Sequence, residues 1–182
     1  MTLLRFEDVS LHRGGRLLFE GVSFVLGAGE RLQVTGQNGV GKSSLIRLAA
    51  GLLREASGRI ERSPLALADD NVAVDRELTL KQALSFWDGS VGTAMEALGI
   101  ACLAEVPVRL LSSGQLKRST LARVAASDAK LWLLDEPLNA LDCDGAERLS
   151  RIIDAHLTAG GAVLAASHQA IAGEWPKLEL GA

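Results

Sequence analysis

The chain has no tyrosine, only two cysteines, no basic excess and no apolar run long enough to cross a membrane. These scarcities remove several classes of function. Cys102 and Cys143 stand far apart without metal-ligand spacing, so neither a disulfide framework nor a thiolate metal site is expected. Both read as small, partly buried hydrophobes of a reduced cytosolic protein. The formal net charge of −3 comes without a basic stripe, which argues against a nucleic-acid partner. A spanning helix needs roughly 18 uncharged apolar residues. The best candidate, Leu121 to Leu134, is interrupted by Arg123, Asp128 and Lys130. Met1 to Arg5 shows no basic-then-apolar signal pattern. Any work at a membrane is therefore expected to go through a partner.

What is present suits one globular domain. The 182 residues are 48 % hydrophobic and 23 % charged, enough to bury a core. Leu3–Leu11 and Leu17–Leu26 read as strands joined by a Gly14-Gly15 turn. Arg31–Thr35, Gly58–Arg62, Leu65–Ala68, Leu131–Leu134, Ala162–Ala166 and Leu178–Leu180 read as further strands. Helical spacing follows Lys42, with Leu45, Leu48, Ala49 and Leu52 on its apolar face. Thr79 and Gln82 make a capping-box pattern ahead of Leu80, Ala83, Leu84 and Trp87. Thr93–Leu98 and Gln115–Ala126 read as helices. Asp144 and Glu147 are expected to cap another, with Leu149, Ile152, Ile153 and Leu157 inward. Strands alternating with helices predict a mainly parallel α/β sheet covered on both faces, with the first two strands as an antiparallel patch beside it.

Gly36-Gln37-Asn38-Gly39-Val40-Gly41-Lys42-Ser43 matches G-x-x-x-x-G-K-[ST] in full, between a strand and a helix. Glycines let consecutive N–H groups turn inward toward phosphate oxygens, and the helix dipole adds positive potential. Lys42 suits the β- and γ-phosphates, the Ser43 hydroxyl suits Mg²⁺, and Ser44 suits the α-phosphate. Leu131–Leu134 runs into Asp135-Glu136, two carboxylates at a strand's C-terminal edge, where open α/β sheets bind ligands. Asp135 is suited to hold Mg²⁺ through water and Glu136 to polarise an attacking water. His168 follows another apolar strand, where a neutral imidazole can orient that water.

These elements, in this order, resemble the ATP-binding-cassette ATPases over almost the whole chain. Gly36–Ser43 resembles their Walker A loop. Asp135 and Glu136 resemble Walker B and its catalytic glutamate. Leu111-Ser112-Ser113-Gly114-Gln115 resembles the LSGGQ signature, with Ser113 in place of the first glycine. Asn139-Ala140-Leu141-Asp142 resembles the D-loop, and His168 the switch histidine. The resemblance implies a phosphate-loop NTPase fold with a RecA-like, mainly parallel sheet, an N-terminal antiparallel β patch and a small helical lobe at about residues 72–126. It implies that ATP and Mg²⁺ bind, and that two cassettes sandwich two ATP molecules. Ser112, Gly114, Gln115 and Asp142 of one copy would then serve the nucleotide held by Lys42 of the other. A homodimer is the simplest such arrangement.

Two departures from the family pattern stand out. No glutamine lies between Leu67 and Val72; Asn71 is the nearest amide for the expected Mg²⁺ contact. With no tyrosine to stack on adenine, Arg13 offers its guanidinium plane instead, and weak base discrimination would follow.

The short chain and the segments RLLFEGVSF, GQNGVGKSSLIRLAAGLL, ELTLKQALSFW, LSSGQLKR and ASHQAI resemble the ATP-binding subunits of c-type cytochrome biogenesis. That resemblance implies a peripheral protein on the cytoplasmic face of a bacterial inner membrane. An integral membrane permease would be its partner, and either heme export or release of a heme-loaded chaperone its task. Val72–Ser90 would face the permease, with Phe86 and Trp87 as candidate contacts. Another ABC importer or exporter, a soluble ABC-type switch and a small-molecule kinase are the alternatives. Of these, the kinase would leave the signature and Asn139–Asp142 unexplained.

Overall fold

The computed structural model describes residues 1–69, 75–85 and 90–181. Two sheets organise it. The first is antiparallel, in the order β2-β1-β4, with β1 spanning Thr2–Arg13, β2 Arg16–Gly27 and β4 Ser57–Arg62. The expected two-strand patch thus gains a third strand, which pairs with β1 from Leu4↔Arg62 to Ser10↔Ser57. The second sheet has the order β5-β6-β7-β3-β8, and every neighbouring pair is parallel. Its strands are β3 (Arg31–Thr35), β5 (Leu65–Ala68), β6 (Leu131–Asp135), β7 (Ala162–Ala166) and β8 (Lys177–Glu179).

The apolar runs of β6 and β7 explain why the sheet is covered on both sides. Successive residues of a strand point to opposite faces. Leu131 and Leu133 pack with Phe6, Val34, Leu45 and Leu164, between the parallel sheet and the antiparallel one. Trp132 and Leu134 pack on the other side with Leu121, Leu149, Ile153 and Val163. Helix α1 (Lys42–Ala49) belongs to the first core. Helices α2 (Leu80–Ser85), α3 (Val91–Ala97), α4 (Ser113–Ala126) and α5 (Cys143–Thr158) supply the second. The Thr79–Gln82 capping box forms: the Gln82 N–H donates to the Thr79 hydroxyl at 3.3 Å, and the Thr79 N–H donates to Gln82 Oε1 at 3.1 Å. Among the described residues no helix is long and apolar enough to cross a membrane.

Four expectations need correction. Leu52 is 61 % exposed, because α1 stops at Ala49 and Gly51 turns the chain away at a φ of 75°. The cap of α5 is Asp142, whose carboxylate accepts from the Gly145 N–H at 2.9 Å. Asp144 and Glu147 lie inside the helix, where each pairs with an arginine four residues on, Arg148 and Arg151. Cys102 and Cys143 are exposed, one in a short turn after α3 and the other opening α5. Finally, Ser113 and Gly114 belong to α4, which starts earlier than Gln115 because Ser112 caps it. Phe86 and Trp87 lie outside the described residues.

Candidate nucleotide site

The C-terminal ends of β3, β6 and β7 lie side by side, since these strands run parallel. Three segments distant in sequence therefore meet at one edge. The loop after β3 runs from Gly36 to Gly41 and opens α1. Gly36 has a φ of 135°, and a Cβ there would stand 2.7 Å from the Leu180 carbonyl oxygen. Only glycine allows the loop to leave the strand this closely. Lys42 is buried, and its Nζ donates to the carbonyls of Gly36 at 2.9 Å and Gln37 at 3.2 Å. The ammonium thus lies over the loop, where phosphate oxygens would be stronger acceptors than neutral carbonyls.

The Ser43 hydroxyl donates to Asp135 Oδ1 at 2.9 Å, across from the end of β6. A hydroxyl and a carboxylate side by side at a phosphate loop are the all-oxygen donors that Mg²⁺ prefers when phosphates complete its shell. Next along the chain, Glu136 adopts a φ of 44° and turns its carboxylate toward the end of β7. His168 Nδ1 lies 2.8 Å from Glu136 Oε2, and the His168 N–H donates to the same oxygen at 3.4 Å. A carboxylate and an imidazole so paired form an acid–base couple at the cleft. The cleft has a volume of about 460 Å³ and is lined by Arg13, Asn38, Gly39, Ser44 and Glu136 among others. Arg13 reaches in from the end of β1, with its guanidinium donating to the Ser44 hydroxyl at 3.5 Å. Val40 packs among the apolar residues beneath the loop.

Ser112, Gly114, Gln115 and Asp142 lie elsewhere. They line a second cleft, of about 490 Å³, which shares no lining residue with the first. Ser112 caps α4: its hydroxyl accepts from the Gln115 N–H at 3.3 Å, and Gln115 Oε1 accepts from the Ser112 N–H at 2.9 Å. This capping box leaves the first turn of the helix pointing its remaining N–H groups at the cleft. Gly114 passes under the Asn139–Asp142 turn, where a Cβ would stand 2.8 Å from the Ala140 carbonyl oxygen. Asn71 lies outside the described residues.

Arg118 holds this second cleft together, and nothing in its sequence surroundings announced it. Its guanidinium pairs with Asp142, donates to Asp144 at 2.9 Å and reaches the Leu98 carbonyl at 3.2 Å. Burial opposes its charge, but the two carboxylates outweigh burial and leave its pKa raised. Asp142 is held below the ordinary carboxylate range, first by the Gly145 N–H and then by Arg118. Asp144 is lowered by Arg148 and, less, by Arg118. Lys117, one residue earlier, was equally inconspicuous in sequence. It is buried, and its ammonium donates to the Asp135 carbonyl at 3.2 Å.

The chain is similar to known proteins. A family model described as ABC transporter matches residues 19–139. The chain is 51 % identical to the cytochrome c biogenesis ATP-binding export protein CcmA of Novosphingobium aromaticivorans, over 91 % of the chain and 88 % of that protein. It is 49 % identical to the protein of the same name from Zymomonas mobilis, over 92 % of the chain and 79 % of the relative. Among solved structures, the ATP-binding subunit of an ABC transporter superposes with a TM-score of 0.81 at 20 % identity, covering 91 % of the chain and 79 % of that subunit.

Proposed function

The chain belongs to the ABC transporter family, and on that premise we propose that it is the ATP-hydrolysing subunit of a membrane transport complex in c-type cytochrome biogenesis. The relatives at 49–51 % identity, whose names carry that process, support the assignment. The observation that carries the chemistry is the Glu136–His168 pair, 2.8 Å apart at the phosphate-loop cleft. In this reading residues 1–182 form one cassette, with a helical lobe at about residues 72–126.

The N–H groups of Gly36–Ser44 and the N-terminus of α1 bind the phosphates of ATP. Lys42 exchanges the Gly36 and Gln37 carbonyls for β- and γ-phosphate oxygens. Ser43 and Asp135 would hold Mg²⁺, which supplies charge neutralisation between those phosphates. Glu136 accepts a proton from water as the water oxygen attacks the γ-phosphorus and ADP departs. His168 holds Glu136 and the water in line. Arg13 lies flat against the base.

The signature cleft completes the site from another copy. The α4 N-terminus, with Ser112, Gly114 and Gln115, faces the γ-phosphate bound by a second cassette, and Asp142 lies beside it. A homodimer satisfies both half-sites at once. An integral membrane permease couples this ATP-driven closure to heme export or to release of a heme-loaded chaperone, on the cytoplasmic face of a bacterial inner membrane. The chain meets the membrane only through that partner.

The test is a pull-down from solubilised membranes with the partner identified by mass, paired with a deletion strain stained for covalent heme. Recovery of a multi-span permease and loss of stained c-type cytochromes are expected. Normal cytochromes in a strain with no second copy would rule out the biogenesis assignment.

A further inference from the structure

A lysine with 7 % exposure is unusual and requires a partner inside the fold. Lys117 lies on α4, five residues beyond Ser112, about 7.5 Å along the helix axis at 1.5 Å per residue. Its ammonium donates to the backbone carbonyl of Asp135 at 3.2 Å. That carbonyl and the Glu136 N–H belong to one peptide unit. The Glu136 N–H in turn donates to the Ala166 carbonyl at 2.8 Å, at the end of β7 and just before Ser167 and His168. One peptide is therefore held at its oxygen by the signature helix and at its nitrogen by the strand that delivers the histidine.

This peptide needs holding. Glu136 follows it at a φ of 44°, a left-handed conformation that a glutamate rarely adopts without support. Rotating the peptide would relieve that conformation. It would also break the Glu136 N–H bond to the Ala166 carbonyl and loosen the backbone that carries the Asp135 and Glu136 side chains. A positive charge on the carbonyl oxygen opposes the rotation more strongly than a neutral donor would. Lys117 does this from a cleft of about 210 Å³ that it shares with Asp69, Ser113, Thr120 and Asn139. Ser113 of that cleft also lines the signature cleft, so the two regions are contiguous.

We propose that Lys117 is a positioning residue that locks the Asp135–Glu136 peptide in its hydrolytic orientation and ties it to the signature helix of the same chain. The proposal rests on the ATPase reading above. Its consequence is communication between two sites. A γ-phosphate from the opposite copy docks on the N-terminus of α4, and the same rigid helix presents Lys117 to this chain's own Asp135 and Glu136.

The experiment uses the full chain with Lys117→Met, Lys117→Gln and Lys117→Arg. Steady-state ATP hydrolysis gives kcat and KM. ATP-dependent dimerisation is followed by gel filtration, with each substitution combined with Glu136→Gln. Lys117→Met is expected to lower kcat about tenfold as the charge-assisted hydrogen bond to the Asp135 carbonyl is lost, with KM within about twofold of wild type. The Lys117→Met, Glu136→Gln double variant should still dimerise on ATP. Lys117→Arg, which keeps a cationic donor on a long stem, should recover kcat to within about threefold. Lys117→Gln, too short to reach the carbonyl, should match Lys117→Met and carries the test if the latter does not fold. A wild-type kcat in Lys117→Met or Lys117→Gln would overturn the proposal, as would loss of kcat and dimerisation together. Failure of the parent chain to hydrolyse ATP, together with failure of Glu136→Gln to dimerise, would instead sink the ATPase reading itself.

Discussion

The two clefts are nearly equal in volume, about 460 and 490 Å³, and built by opposite means. The phosphate-loop cleft is made largely of backbone, in a contiguous run from Gly36 to Ser44 set between a buried strand and a buried helix. Its long-range side-chain contacts are few: Ser43 to Asp135, Glu136 to His168 and Arg13 to Ser44. The signature cleft is made of side-chain ties between elements. Arg118 joins α4 to Asp142, Asp144 and the end of α3, and the Ser112–Gln115 box closes the helix. The first kind of construction gives a site that is rigid by local geometry. The second gives one whose shape depends on charges staying paired.

The sharpest way to separate the two is Glu136→Gln. It acts on the chemistry of the first cleft and leaves the docking surface of the second intact. Hydrolysis should fall about a thousandfold while ATP-dependent dimers accumulate on gel filtration. A chain that stays monomeric with ATP bound would break the idea that the clefts serve one another.

Gly114→Ala attacks the other side. In an ordinary helix this change is favourable. Here the new methyl meets the Ala140 carbonyl at 2.8 Å, a backbone atom that cannot swing aside. We expect ATP-driven dimerisation to weaken about tenfold, with ATP binding to the monomer unchanged. Loss of nucleotide binding by the monomer would mean the clefts are not independent in construction.

Arg118→Met has a smaller and pH-dependent effect. Asp142 and Asp144 are held below 3.8 in the folded chain, so their stabilisation is present above 3.8 and is lost as pH falls below it. Their exposure to solvent keeps the contribution modest. The urea midpoint of the variant should be lower at neutral pH, and its dependence on acid should flatten. An unchanged acid limb would place the clamp's energy elsewhere.

The smallest effect belongs outside both clefts. His156 stacks on Trp132 at 3.8 Å, and burial lowers its pKa from 6.5. Protonation favours the unfolded chain, so this group's stabilisation is complete above 6.5 and is lost as pH drops through the lowered folded value. His156→Gln should remove that part of the pH dependence of the urea midpoint, with kcat and dimerisation unchanged.

The candidate site was legible in sequence wherever its parts are contiguous. Gly36–Ser43 and Ser112–Gln115 each carry their geometry in neighbouring residues, and each adopts it. The apolar runs of β6 and β7 announced strands covered on both faces. Legibility failed where partners are distant. Asp144 read as the cap of α5, but the chain enters that helix through Asp142, which takes the cap instead. Leu52 fits the helical spacing of α1, but Gly51 turns the chain out first. Lys117 and Arg118 read as ordinary helix cations, since nothing in their neighbours tells of Asp135 or Asp142.

The sequence by itself determined the chemistry: a loop that can curl around phosphate, carboxylates at a strand end and a capped helix with free N–H groups. Backbone conformation and hydrogen bonding between near neighbours settle these. Only the tertiary structure decided how they are grouped: Lys42, Ser43 and Glu136 line one cleft, with Asp135 bonded to Ser43 and His168 to Glu136, and Ser112, Gly114, Gln115 and Asp142 line another. It alone placed the Lys117 ammonium on the Asp135–Glu136 peptide. Parallel strand order and helix packing make those approaches, and both depend on how the two cores fill rather than on any short stretch of chain.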